Sequence, residues 1–287
     1  MTDHARNSSS SPRSRAPSGP PSQASPARRP ASGAFSPNPG AAPLPRMVLA
    51  QAGMELRVML RNGEQLLLTM VIPVLLLVGF SVTSLLDLGD GTRVDFLAPG
   101  IIALAVMSTA FTGQAIGTGF ERRYGVLKRL GATPLSRLGL LGAKTLAVLA
   151  VQALQIAVLA GVALALGWSP AGGAAGAAQA AVLVLLATAA FSSLALLMAG
   201  TLRAEATLAA ANLVYVVLLG LGGVVFPVDR YPEAAQPVLA ALPITALADG
   251  LRAVLTDGAG PPLLSLTVLA AWAAVAAALA SRFFRWE

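Results

Sequence analysis

Cysteine is absent from the 287 residues, and histidine occurs once, as His4. Disulfides and thiolate nucleophiles are therefore excluded, and zinc centres or Ser-His pairs have almost nothing to be built from. Charge is scarce as well: 11% of residues are Asp, Glu, Lys or Arg, against 55% of hydrophobic type. A soluble domain carries about 25% charged residues, so this composition and a mean hydropathy of +0.71 point to a membrane protein. Lysine is nearly missing too, with Lys128 and Lys144 alone among twenty basic residues. With abundant Ala, Gly, Arg and Pro, that usage is consistent with a high-GC bacterium, and the expected location is a bacterial plasma membrane, crossed several times. The net charge of +7 would suggest nucleic acid in a soluble protein; in a membrane protein its sign is read loop by loop, and no nucleic-acid partner is expected.

Residues 1–46 are rich in Ser, Pro, Ala and Arg, with almost no large apolar side chains, and read as a disordered cytoplasmic tail. They contain no apolar core of a secretory signal, and their proline density argues against an amphipathic transit peptide. Residues 47–287 form the membrane domain. Leu49, Ala52, Leu56, Met59 and Leu60 recur at helical spacing while Gln51, Glu55 and Arg61 fall elsewhere, predicting an amphipathic helix along the inner membrane face.

Crossing a bilayer takes about 20 mostly apolar residues. Six runs qualify, at about 65–86, 96–119, 146–167, 177–198, 206–226 and 262–281. Six crossings put both termini on one side. Seventeen of the twenty Lys and Arg then share that side with them, leaving Arg93, Arg230 and Arg252 opposite, so the termini are assigned to the cytoplasm. The predicted fold is thus all-α and integral to the membrane.

GLLGAKT, residues 139–145, resembles a phosphate-binding loop only superficially. Ala143 precedes Lys144 where the motif needs glycine, so nucleotide must be handled by another polypeptide. The acids of DLGDGTRVD, 87–95, lack calcium-loop spacing and read as a solvated outer turn. Gln114, Gln152, Gln155, Gln179 and Asn212 lie within spans; they either line a substrate path or join helices by hydrogen bonds. Gly113 and Gly117 suggest a close helix contact. Lys144 and Glu205 fit at membrane edges, within reach of water.

The most structured signal is FERRYGVLKRLGATPLSRLGLLGAKT, 120–145. Glu121 to Leu130 predict a helix with Tyr124, Leu127 and Leu130 on one face and Arg122, Lys128 and Arg129 around the rest. Gly131 fits a helix stop, Thr133 an N-cap and Pro134 the first residue of the next helix. An interfacial helix anchoring its span to anionic lipid explains the charge equally well. On the opposite side, the segment from Phe226 is too charged and proline-broken to span, yet Ile244, Leu247, Leu251 and Val254 share one face of a short helix that sits at or dips into the outer leaflet.

The first helix, the six spans, ERRYGVLKRLGATPLSRLGLLGAKT and LPITALADGLRAVLTDG together resemble the membrane subunits of type-2 ABC exporters, the group that includes drug and antibiotic exporters of the daunorubicin-resistance kind. The resemblance covers roughly residues 47–285. It implies a permease without its own ATPase site or cofactor, driven by a separate cytosolic ATPase that holds ATP and Mg. A homodimer, or a heterodimer with a paralogous permease, is implied, exporting a small hydrophobic molecule. In that family the loop between spans two and three is a coupling helix docking on the ATPase. Glu121, Gly125, Leu127, Leu130, Thr133 and Pro134 match its pattern, with Arg122, Tyr124, Lys128 and Arg129 between them, and Arg123 stands where many members have an acid. The outer segment resembles re-entrant helices closing the exit, with Pro243, Asp249, Leu251 and Arg252 at matching positions. An ion-coupled secondary transporter is the alternative; it calls for titratable groups at mid-membrane or related halves. A lipid-modifying membrane enzyme would need His, Cys or convergent carboxylates.

Overall fold

In the computed structural model the described residues are 42–82, 93–224 and 227–284, and these form helices with no strand among them. The tail expected at 1–46 lies outside them up to residue 41, and its boundary shifts slightly, because helix α1 already starts at Leu44 and runs to Arg61, with Pro45 in its first turn. Proline is at home there, since the first turn's N–H groups have no helical partner anyway.

Among the described residues, five helices are long and apolar enough to cross a membrane: Arg93–Arg123, Leu138–Ala165, Gly173–Thr201, Ala204–Leu221 and Leu263–Phe283. A shorter apolar stretch, Thr69–Val82, belongs to α2, Gly63–Val82. The second predicted span is one helical path in three parts: α3, Arg93–Met107; a π-helical segment, Ser108–Gly113; and α4, Gln114–Arg123. After a short α5, Val126–Gly131, come α6, Arg137–Ala165, and α7, Gly173–Thr201. Helix α8, Ala204–Leu221, leads to α9, Gln236–Ala240, α10, Pro243–Leu255, and the final α11, Leu263–Phe283. The span predicted from 146 begins at Arg137 instead, since nothing in RLGLLGAKT breaks a helix. The one predicted to 226 ends at Leu221, where Gly222 and Gly223 follow and Gly223 takes φ +67°.

The α3 helix and the π segment lie at the centre of the core: Leu97, Ile101, Ala103, Leu104, Ala105, Val106 and Met107 are fully buried. Around them α2, α8 and α11 keep large apolar side chains exposed, including Leu75, Leu213, Val216 and Leu264, as expected where lipid or another apolar surface takes the place of water.

Two interior prolines show how polar side chains repair helices inside this core. Pro73 has no N–H to offer the carbonyl four residues earlier, at Thr69. Gln155 Nε2 donates to that oxygen at 2.6 Å, while Gln155 Oε1 accepts from Thr109 Oγ1 at 2.9 Å. Pro99 likewise frees the carbonyl of Asp95, which accepts from Thr256 Oγ1 at 2.9 Å. Gln152 Nε2 donates to Val106 O at 3.1 Å, next to the register change of the π segment, and its Oε1 accepts from Thr188 Oγ1 at 2.7 Å. A Gln155→Leu variant is therefore expected to lose about 1–3 kcal/mol of stability by removing the partner of a half-buried carbonyl and of a buried hydroxyl. The check is a lower thermal midpoint in detergent, against little change for Leu154→Ala, which removes an exposed apolar group.

On helix α1 the apolar stripe is divided: Ala52 is buried while Leu49 and Leu60 are exposed, and the polar Gln51 and Glu55 are buried as well. The buried cation Lys144 on α6 accounts for the inward polar pair, while Met59 packs partly against the core.

Candidate functional site: a lysine cluster and an arginine clasp

Near the start of α6, Lys144 Nζ lies 2.9 Å from Glu55 Oε2 of α1 and 2.7 Å from Glu121 Oε2 of α4, with 5% of its side chain exposed. Gln51 Nε2 donates to the other oxygen of Glu55 at 2.8 Å. Three helices far apart in sequence are thus tied through one ammonium, and Lys144 does not reach water as its position near a helix start suggested. Nothing in the sequence pairs these three residues, although a lone lysine in an apolar helix should have prompted a search for carboxylates.

The helix predicted over Glu121–Leu130 is broken in two. Glu121, Arg122 and Arg123 form the last turn of α4, and Gly125 then adopts φ +71° as the residue before α5. Such a left-handed conformation costs a residue with a Cβ about 1–2 kcal/mol, which explains glycine here and why the helix cannot continue. Tyr124, placed with Leu127 and Leu130 on one face by sequence, is 69% exposed and stacks on Phe120 at 6.2 Å. Leu127 is fully buried against Leu135, Leu140, Leu196 and Phe284, with Leu130 packed at the edge. Gly131 is the last residue of α5 and not a left-handed stop beyond it. Thr133 is not an N-cap: its hydroxyl donates back to Leu130 O at 2.6 Å, closing α5. Ser136 caps α6, accepting from Gly139 N–H at 3.0 Å, and Pro134 lies in the turn before it.

The basic residues divide by role. Arg122 donates to Ala199 O of α7 at 2.9 Å, and Arg123 pairs with Glu205 at the start of α8. Lys128 and Arg129, on α5, are exposed. Helix α5 therefore presents a small cationic, aromatic-edged face, while its base is held by Leu127, Arg122 and Lys144.

A cavity of about 790 Å³ opens between α2, the π segment, α4 and α8, lined by Ser108, Thr112, Asn212 and Tyr215 among Ile72, Ile116 and Phe120. Gly113 and Gly117 also line it, and a Cβ on Gly117 would meet open space among the described residues. A second cavity of about 240 Å³ shares Asn62, Gly113, Gly117 and Phe120 with the first and reaches Glu55, Glu121 and Lys144. Gln114 lines it too, buried, with neither amide atom finding a partner among the described residues. Of the candidate path residues, Gln114 and Asn212 border these cavities; Gln152 and Gln155 are engaged between helices, and Gln179 is half-buried on α7.

Arg252 on α10 is buried and reaches three acceptors. It donates to Val224 O at 2.8 Å, Phe96 O at 3.4 Å and Asp249 Oδ1 at 3.2 Å, and its guanidinium lies 3.9 Å from the Phe96 ring centre. Gly100 makes room for this clasp: a Cβ there would lie 2.5 Å from Val224 O and 2.8 Å from Arg252 Nη2. Burial raises the Asp249 carboxyl above its ordinary range, and the neighbouring guanidinium opposes that rise. Ile244, Leu247, Leu251 and Val254 all face inward from α10, as their spacing predicts, and Pro243 starts the helix. The acidic run at 87–92 lies outside the described residues; Asp95, its last acid, accepts from Ser169 N–H at 3.0 Å.

A family model described as ABC-2 type transporter matches residues 49–256, from within α1 to just past the end of α10. No curated protein gives a significant match to the chain.

Proposed function

Because the chain belongs to the ABC-2 type transporter family, whose members form the membrane subunits of ABC transporters and generally pair with ABC ATPase subunits, we propose that it is the permease of an exporter for a small apolar or amphiphilic molecule, of the drug- and antibiotic-efflux kind. This reading replaces both the ion-coupled transporter and the membrane enzyme weighed from sequence. It takes α2 as a sixth crossing, with both termini in the cytoplasm of a bacterial cell, in keeping with the distribution of Lys and Arg. Two copies, or one copy and a paralogue, enclose the path, and two ATPase subunits sit beneath.

The observation that carries the reading is the construction of the inner end. A cationic α5 is exposed for docking, while Leu127, Arg122 and the Lys144 cluster fasten it to α1, α4, α6 and α7. A push on α5 therefore moves several spans at once. ATP drives transport in this scheme only if the ATPase dimer it closes has different affinities for the inward and outward forms of the permease. The cavity of about 790 Å³, apolar with a few hydroxyl and amide groups, suits an amphiphilic cargo.

The test is the double variant Lys128→Glu, Arg129→Glu, reconstituted with its ATPase. Transport is expected to fall at least about tenfold, because two like-charge reversals at a docking face cost several kcal/mol. Membrane level and thermal midpoint should stay as in the wild type, since both side chains are exposed. Unchanged transport would remove α5 as the docking element.

A further inference from the structure

Helices α6, α7 and α10 enclose a groove of about 460 Å³ that takes no part in the arrangement above. It exists because its walls are short: Ala153 and Ala160 on α6 stand opposite Ala177 and Ala181 on α7, too small to close the gap. Ile102, Leu251 and Leu255 are buried at its floor, while Ala153, Ala177 and Ala181 are exposed at its mouth.

Two polar residues line it: Gln152, whose amide is engaged with Val106 O and Thr188, and Trp168. Trp168, just beyond the end of α6, is 7% exposed and lines the groove, and its Nε1 finds no acceptor among the described residues. A buried indole N–H ordinarily has a partner. Tryptophan also favours the membrane interface, where its ring lies among apolar groups and its N–H meets polar ones.

We propose that the groove binds one acyl chain of a membrane phospholipid, whose ester carbonyl accepts a hydrogen bond from Trp168 Nε1. The dimensions agree. From Leu149 to Ala160 the α6 wall runs about 17 Å at 1.5 Å per residue, against about 15 Å for one leaflet of hydrocarbon. The polar end of the site lies at the helix terminus, and the apolar part extends from it toward the bilayer centre. An extended peptide would bring backbone amides that these walls leave unsatisfied. A partner helix, whose carbonyls bond internally, would bring no acceptor for the indole. With Leu251 and Leu255 at the floor, the bound chain packs directly against α10, the helix that carries Arg252. The proposal concerns the surrounding membrane and not the cargo, so it stands independently of the export reading.

The full chain is reconstituted in phosphatidylcholine vesicles containing phosphatidylcholine with a photoreactive acyl chain in both leaflets, irradiated, and mapped by mass spectrometry. Because both leaflets carry the probe, the direction of insertion does not affect the result. Adducts are expected at Ala153, Ala181 and Leu185 at least about threefold above those at the exposed Leu213 and Val216 of α8. Ala181→Phe, which fills the mouth, should abolish the groove adducts and leave those on α8, showing that the variant is folded; Ala153→Leu serves if it is not. Trp168→Phe keeps the ring and removes the donor, and should lower groove labelling about threefold to tenfold, the value of one hydrogen bond. Groove labelling equal to that of α8, or insensitive to the filling variants, overturns the site. Protein–protein adducts in place of lipid adducts do the same, and labelling unchanged by Trp168→Phe removes the ester contact.

Discussion

Lys144→Met is expected to destabilise the solubilised protein by about 3–5 kcal/mol, the usual consequence of removing one partner from a buried ionic cluster. Glu55 and Glu121 would be left facing each other without the ammonium that lies 2.9 and 2.7 Å from them. Glu55 is itself buried, so it has little water to turn to. The loss should appear as a lower thermal midpoint and as release of α1, read by faster proteolysis around Arg57 and Arg61, which are exposed in the intact helix. The triple variant Glu55→Leu, Lys144→Met, Glu121→Leu separates charge pairing from packing. Replacing a whole buried cluster by apolar groups is often near neutral, so stability should largely return. Transport should not return if the cluster fastens α5 to the spans. If Lys144→Met alone leaves the midpoint unchanged, the cluster is not what holds α1 to α6.

Arg252→Leu is expected to cost about 2–4 kcal/mol and to release α10 from α3. The guanidinium serves Val224 O, Phe96 O and Asp249 together, and its removal leaves two backbone carbonyls and a carboxylate without their donor. Arg252→Lys should recover only part of the loss, because an ammonium cannot span three acceptors arranged for a planar fork. Asp249→Asn should matter less, since 48% of that side chain is exposed and exposed pairs contribute at most about 1 kcal/mol. Thermal midpoints of the three variants give the ranking. Arg252→Leu as stable as Asp249→Asn would show that the clasp does not hold α10.

Five of the six predicted spans were legible because each is a long apolar run; the first is a shorter apolar helix whose predicted end at 83–86 lies outside the described residues. The inward face of α10 was legible because Ile244, Leu247, Leu251 and Val254 repeat at helical spacing. Where the sequence reading failed, a neighbouring contact or a long-range pairing had overridden the expected local signal. Thr133 and Pro134 have the chemistry of a helix start, yet the hydroxyl of Thr133 is drawn back to Leu130 O and Ser136 takes the cap. Tyr124 shares a helical face with Leu127 only if the helix is continuous, and Gly125 at φ +71° ends that continuity. Gln51 and Glu55 look like the wet side of an amphipathic helix until Lys144 is brought against them. Gln155 gave no sign from sequence that it would supply the donor missing at Pro73, 82 positions away.

By itself the sequence determined the membrane setting, the helical class, the approximate spans and the concentration of basic residues near one end, because these follow from hydropathy and charge counted along the chain. Tertiary structure alone decided which polar side chains meet. In an apolar core each buried charge or carbonyl is stabilised only by a partner at hydrogen-bond distance. The partners of Lys144, Gln155 and Arg252 come from helices far away in sequence, where no local pattern can indicate them.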